Sequence, residues 1–86
     1  MTATLSRVRR MWQESVEGFE ESIRIFRDLA QPLEEARSLY EFGVMWKDRG
    51  EPTKAKDHLE RAAQIFEGIG ARAWLANAKT TLRELV

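Results

Sequence analysis

Apolar side chains recur every three or four residues over most of this chain, in four runs separated by proline and glycine. This spacing places them on one face of a helix and is typical of amphipathic helices. The runs predict four helices, over residues 4–30, 32–49, 52–67 and 71–85. Pro32 and Pro52 suit the first turn of a helix, and Gly50 suits the left-handed residue that ends one. Because no segment alternates apolar and polar residues as strands do, we expect residues 1–86 to form a single all-α domain of four antiparallel helices.

The first helix carries the longest apolar stripe. In its second half Ile25 and Leu29 widen the stripe, which predicts that this half is buried on two sides. Gly18 lies in the helix interior, where glycine costs up to about 1 kcal/mol relative to alanine, and we still expect one continuous helix. The stripe consists of Leu5, Val8, Trp12, Val16, Phe19, Ile23, Phe26 and Ala30.

A shift of forty residues brings the two halves of the chain into register. A fixed period of this size is typical of solenoid repeats, whose units stack on one another to bury a continuous core. We therefore expect two copies of one helix–turn–helix segment. The aligned pairs are Phe19 with Leu59, Glu20 with Glu60, Ile25 with Ile65, Phe26 with Phe66, Leu29 with Ile69, Ala36 with Ala76, and Phe42 with Leu82.

Residues 39–63 combine large side chains with small ones at fixed spacings. Small residues lie where two helix backbones must come close, so we expect the second and third helices to form a tight hairpin. The pattern resembles the tetratricopeptide repeat, most closely over residues 36–70 and more loosely over 12–35. Its residues are Leu39, Phe42, Gly43 and Trp46 on the first arm, and Ala55, Leu59 and Ala62 on the second.

Two features depart from that family. Glu67 stands where a proline is usual, and the period of forty exceeds the usual thirty-four. The longer repeat is similar to those of kinesin light chains and of the helical sensor regions of bacterial LuxR-type regulators. The run from Phe66 to Leu75 looks especially like the bacterial type.

The resemblance implies a peptide-binding groove lined by the first helix of each repeat. A peptide carboxylate could pair with Arg37 or Lys47, and Asn77 could bond its backbone. The chaperone-binding members of the family need a lysine where Tyr40 stands and an asparagine where Val44 stands, so we do not expect binding to chaperone tails. The groove candidates are Arg37, Tyr40, Val44, Lys47, Asn77, Thr80 and Glu84.

Self-association is a separate expectation. Solenoid repeats need neighbours to bury both faces, and none of the four predicted helices is obviously a polar capping helix. The start of helix one carries Leu5, Val8 and Trp12 beyond the reach of helix two. An exposed apolar stripe of this kind usually marks an interface, so we expect a two-fold dimer that involves these residues.

Composition narrows the chemistry. Fourteen basic residues balance fourteen acidic ones in 86 residues, so no overall field favours nucleic acid. Cysteine is absent, which excludes disulfides and thiolate sites and favours a reducing cytoplasm. No signal peptide or membrane span is predicted. The cluster Arg7, Arg9 and Arg10 admits a nucleic-acid or membrane-surface interpretation, but the acidic residues that follow favour a solvated helix face.

Catalytic and metal-binding chemistry find little support. The only histidine, His58, has no cysteine or second histidine to join it and is expected to face solvent on its helix. The acidic pairs Glu20-Glu21 and Glu34-Glu35 point away from each other on a helix and alternate with arginine. We expect no enzyme, no metal and no cofactor. Trp46 occupies a packing position of the repeat and is expected in the core.

The sequence thus predicts a non-catalytic protein-interaction module of tetratricopeptide type that self-associates. Two alternatives stay open. One is a purely structural oligomerisation element whose only partner is itself. The other is a ligand-sensing fragment of a larger bacterial transcription regulator.

Overall fold

Four α-helices joined by short turns make up the protein. The computed structural model describes the backbone of residues 2–85 and the side chains of residues 11–85. The helices are α1 (Thr2–Asp28), α2 (Pro32–Asp48), α3 (Pro52–Gly68) and α4 (Arg72–Glu84). No strand occurs in residues 2–85. The predicted all-α class is therefore confirmed. The starts of α2 and α3 agree with the prediction, and the other bounds differ from it by one or two residues.

Each helix packs on its neighbours in the chain, and α2 packs most extensively on α3. The molecule measures 48 × 32 × 17 Å along its principal axes. Since packed helices lie about 8–10 Å apart, the shortest dimension holds at most two helix layers. The core is consequently a thin band between consecutive helices, and large parts of every helix face outwards.

The core belongs mainly to the central hairpin of α2 and α3. Its largest fully buried side chains are Leu39 of α2 and Leu59 and Phe66 of α3. The buried hydrophobic residues outside this hairpin are Ile23 of α1 and Ala78 of α4. Trp46 is 7% exposed, as expected for a core position. The outer helices therefore lie against a hairpin that buries most of the apolar surface.

Close backbone approach holds the hairpin together. A Cβ atom added to Gly43 would lie 2.6 Å from Cγ of Leu59 and 3.2 Å from the backbone oxygen of Ala55. Ala55 and Ala62 are completely buried. The sequence prediction that small residues join the arms at these three positions is confirmed.

All three turns end their helices with one backbone geometry. A residue with positive φ follows each helix, at 54° for Ala30, 85° for Gly50 and 73° for Gly70. The N–H of the next residue then donates to a carbonyl five residues earlier, the Schellman arrangement that satisfies the end of a helix. These bonds are Gln31 to Phe26, Glu51 to Trp46 and Ala71 to Phe66, each 2.9 Å long. The turn recurs every twenty residues.

Two sequence predictions about packing are wrong. The second half of α1 is not buried on two sides, since Ile25 is 45% and Leu29 60% exposed. Nothing in the described chain covers this flank, because α2 packs on the stripe that contains Val16, Phe19 and Ile23. The prediction that no helix is a polar cap is also wrong. The outer face of α4, at one end of the stack, consists of exposed polar and small residues. They are Arg72, Ala76, Lys79, Thr80 and Arg83.

Candidate interaction surfaces

The predicted groove residues of α2 contact α4. The hydroxyl oxygens of Tyr40 and Thr81 lie 3.3 Å apart, within hydrogen-bond distance. The ammonium group of Lys47 donates a hydrogen bond to the Glu84 carboxylate, which raises the pKa of Lys47 above its usual value. Two of the predicted positions, Lys47 and Glu84, are thus brought together, but they neutralise each other.

Arg37 lies against an aromatic side chain of α4. Its guanidinium carbon is 5.2 Å from the ring centre of Trp74, a cation–π distance. The ring of Tyr40 meets the same tryptophan edge-on at 5.9 Å. Arg37 also donates to Glu34 at 3.3 Å. Trp74, whose role the sequence left unassigned, therefore joins α4 to α2.

The remaining groove candidates show no converging arrangement. Val44 is half-buried, while Asn77 and Thr80 are exposed. The Thr80 hydroxyl donates to the backbone oxygen of Ala76 at 2.9 Å. Thr81 was not predicted, although it lies on the apolar face of α4 three residues beyond Ala78, and its hydroxyl donates to the backbone of Asn77 at 3.0 Å. On this face most polar groups are paired within the chain, while Nε of Arg37 is buried and makes no hydrogen bond among the described residues.

The predicted dimer residues are only partly described. The side chains of Leu5 and Val8 lie outside the described residues. Trp12 is half-buried, and the guanidinium carbon of Arg49 is 5.3 Å from its ring centre. Trp12 is therefore partly covered by the α2–α3 turn.

A different flank of α1 is open and apolar. Met11 is 61% exposed, in addition to Ile25 and Leu29. Gly18 lies among them, and a Cβ atom added there would meet nothing within 4 Å. At 100° per residue, positions 11, 18, 25 and 29 share one side of the helix. This surface, named the α1 open face, is defined by Met11, Ser15, Gly18, Ser22, Ile25 and Leu29.

A cleft lies between α1 and α3, on the opposite flank of α1 from the open face. Its volume is about 530 Å³, within the range of small binding sites. Phe42 and Trp46 of α2 contribute apolar surface to it. We name it the α1–α3 cleft, and it is lined by Val16, Glu20, Ile23, Arg24, Arg27, Phe42, Trp46, Lys54, His58 and Arg61.

Aromatic stacking organises this cleft. The Phe42 ring stacks on Phe19 of α1 at 5.2 Å and on His58 of α3 at 4.3 Å. His58 is half-buried, so the prediction that it faces solvent is wrong. Burial of the imidazole lowers the pKa of His58, although the nearby carboxylates of Asp57 and Glu20 act in the opposite direction.

Positive charge surrounds the mouth of the cleft. Arg27 pairs with Glu35 at 3.4 Å, and the Lys54 ammonium lies 4.5 Å from the ring centre of Trp46. Arg24 and Arg61 form no ion pair with any described residue. Glu20 is the one carboxylate that lines the cleft.

Polar groups without partners lie at the same place. The indole nitrogen of Trp46 and Nδ1 of His58 are buried and make no hydrogen bond among the described residues. A buried polar group left unpaired costs about 1–3 kcal/mol. The α1–α3 cleft thus combines an apolar floor with excess positive charge, above two buried polar atoms that have no partner among the described residues.

Other kinds of site are not seen in the part of the chain that the structure describes. No three His, Asp or Glu side chains come together as metal ligands would. No helix there combines the length and the apolar character needed to cross a bilayer. No family model, curated protein or solved structure matches this chain. The resemblance to tetratricopeptide repeats stays a prediction from the sequence pattern.

Proposed function

We propose that this protein is a non-catalytic protein-interaction module of tetratricopeptide type, and that a second copy of the chain is one of its partners. The observation that carries this proposal is the α1 open face. Three large apolar side chains are exposed there on one side of a helix, around a glycine with free space above it. Ile25 and Leu29 lie one turn apart and form an exposed apolar pair at one end of this face, and exposed apolar surface can mark a binding site.

The repeat register indicates what this face binds. A shift of forty residues aligns Ser15 and Gly18 of α1 with Ala55 and His58 of α3. Ala55 and His58 are positions at which α3 packs on α2. The α1 open face is therefore the equivalent of a surface that already holds a helix within the chain. Another helix is its natural occupant.

A second copy fits this face in an antiparallel arrangement. With a two-fold axis near residue 20, Met11 of one copy would lie opposite Leu29 of the other, and Gly18 opposite Ser22. Met11 and Leu29 would meet at both ends and Gly18 and Ser22 at the centre, where the helices cross, while Ile25 would lie over Ser15. Such a self-complementary patch is the requirement for a two-fold dimer. The polar outer face of α4 offers no comparable apolar surface for head-to-tail growth.

Light scattering after size exclusion tests the proposal. At tens of micromolar the wild type should have twice the 10.0 kDa mass of one chain. The double variant Ile25→Glu/Leu29→Glu should be monomeric with an unchanged helical circular-dichroism spectrum, because both side chains are already exposed. Gln64→Glu, on an exposed position of α3, is the control and should remain dimeric. A wild type that stays monomeric at this concentration would refute self-association.

A further inference from the structure

We propose that the α1–α3 cleft binds an acidic peptide segment of a partner protein, in which carboxylates flank an apolar side chain. This inference rests on the proposed function and names its partner class. It also separates that function from the alternative in which the chain binds only itself.

Charge complementarity is the first argument. The chain as a whole has equal numbers of basic and acidic residues, yet four basic side chains and one carboxylate line this cleft. Arg24 on α1 and Arg61 on α3 have no ion-pair partner among the described residues and border the cleft from both sides. A segment lying between the two helices can therefore place one carboxylate against each guanidinium. Arginine is well suited to this because it binds a carboxylate through two parallel hydrogen bonds.

The floor supplies the second argument. Phe42 and Trp46 are 3% and 7% exposed and form an apolar base. The indole nitrogen of Trp46 is itself buried and makes no hydrogen bond among the described residues. An apolar side chain of the peptide would therefore contact Val16 and His58, which are half-buried and line the same cleft. Lys54, held over the Trp46 ring, adds a third cation at the same end.

The cleft favours a peptide over a nucleic acid. Glu20 lines it, and Glu17 and Glu21 border Glu20 on the same helix. A polyphosphate backbone would pass close to all three carboxylates, whereas a short segment can place its few charges beside Arg24 and Arg61 alone. Nucleic-acid affinity also requires many phosphate contacts along an extended basic surface, which this neutral chain does not offer.

The peptide and the second copy would not compete. Residues 20, 24 and 27 of α1 line the cleft, and positions 11, 18, 25 and 29 lie on the other side of the same helix. One molecule can therefore dimerise through the α1 open face and bind a peptide in the α1–α3 cleft at the same time. The two proposals can be tested separately on the same protein.

The test uses the full chain and a fluorescein-labelled ten-residue peptide in which glutamate flanks leucine. Fluorescence anisotropy should show saturable binding that weakens as salt is added. The matched peptide with glutamine in place of glutamate should bind at least about tenfold more weakly, because the charge pairs are lost. The variant Arg24→Glu/Arg61→Glu should lose affinity by a similar or larger factor. Lys79→Glu/Arg83→Glu on α4 is the control, since it reverses the same number of charges away from the cleft and should change the affinity less than threefold.

A second readout locates the bound peptide. In a proton–nitrogen correlation spectrum, the indole N–H signal that disappears in Trp46→Phe should shift on addition of the acidic peptide. The indole signals of Trp12 and Trp74 should shift less. Binding that leaves the Trp46 signal in place would assign the peptide to another surface and overturn the proposal.

The outcomes separate the two proposals. Equal binding of the glutamine peptide, or equal losses in the α4 control, would overturn the cleft assignment. A single-stranded oligonucleotide that displaces the peptide and binds more tightly would overturn it in favour of nucleic acid. A dimer that binds no peptide would refute peptide binding in the cleft and support self-association. A monomer that binds the peptide would refute self-association and support peptide binding in the cleft.

Discussion

At the scale of single residues, the structure assigns roles through the partner that each side chain meets. His58 is the clearest case. Its position on α3 suggested an exposed residue, but the cleft brings its ring onto Phe42 at 4.3 Å and leaves Nδ1 without a hydrogen bond. Burial withholds water from the charged imidazolium, so the neutral form of the ring is favoured.

We therefore expect His58 to titrate below its usual pKa of 6.5 in the folded protein. Because the unfolded chain then binds the proton more readily, the folded state is destabilised as the pH falls below about 6.5 towards the folded pKa. Above 6.5 both states are neutral at this residue, and the contribution is constant. The only histidine of the chain gives one set of imidazole signals in a proton NMR titration of untagged protein, which measures this pKa directly.

The variant His58→Gln serves as the control for the effect on stability. Urea unfolding at pH 7.5 and pH 5.5 should show a smaller loss of stability in His58→Gln than in the wild type, since both share every other titrating group. A folded-state pKa at or above 6.5 would contradict the assignment.

At the scale of helices and turns, the three Schellman turns differ in one residue type. Two have glycine at the left-handed position, whereas the first has Ala30 with a φ of 54°. A side chain in this conformation costs about 1–2 kcal/mol, because Cβ approaches the following carbonyl oxygen. Glycine avoids that cost and loses more backbone entropy on folding. Both turns should therefore be more stable with glycine than with alanine at this position.

Ala30→Gly should stabilise the protein by about 0.5–1 kcal/mol, and Gly50→Ala should destabilise it by about 1 kcal/mol. For a domain of this size, 1 kcal/mol corresponds to about 4–8 °C in the midpoint of thermal unfolding. Circular dichroism at 222 nm measures both shifts. No Cβ clash complicates the Gly50 exchange, because nothing lies within 4 Å of an added Cβ. If both variants shifted the thermal midpoint in the same direction, the two turns would not share a preference for glycine.

The sequence predicts the positions of the helices because the residues that begin, end and join them are close together in the chain. Pro32, Pro52 and Gly50 marked boundaries, and Gly43 with Ala55 identified the hairpin crossing. The turn at Ala30 was less visible, since alanine carries no preference for positive φ. The contacts between non-adjacent elements were not accessible at all. Periodicity shows which face of a helix is apolar but not which helix covers it, and for that reason Ile25 and Leu29 were expected to be buried.

The candidate surfaces were predictable to a smaller extent for the same reason. The positions of Lys47 and Glu84 were identified, but their mutual pairing depends on how α4 lies beside α2. The α1–α3 cleft joins residues from three helices that share no sequence motif. Four basic side chains come together there only after folding, because the sequence alternates them with acidic residues and the chain is neutral overall.

At the scale of the whole molecule, α1 and α4 both depend on the α2–α3 hairpin. The fully buried large side chains belong to this hairpin, and each outer helix contributes one buried hydrophobic residue to the core. In a stack of this kind the units are coupled through their interfaces. With only 86 residues, neither outer helix has enough apolar contact to persist alone. Damage to the hairpin should consequently unfold all four helices together.

Gly43→Ala tests this dependence. The added methyl would lie 2.6 Å from Cγ of Leu59 and 3.2 Å from the Ala55 carbonyl oxygen, so either the Leu59 side chain must move or the two helices must separate. Overpacking of this kind costs about 1–3 kcal/mol, against up to about 1 kcal/mol gained in helix propensity.

The control is Gly68→Ala in α3, where an added Cβ meets nothing within 4 Å. It gains helix propensity alone and should be neutral or stabilising. In urea unfolding, Gly43→Ala should lower the midpoint by the same amount for circular dichroism, which reports all helices, and for the indole N–H NMR signal of Trp74 on α4, which is the signal that disappears in Trp74→Phe. If Trp74 kept its wild-type midpoint while the helical signal fell, α4 would be independent of the hairpin, and the stack would not unfold as one unit.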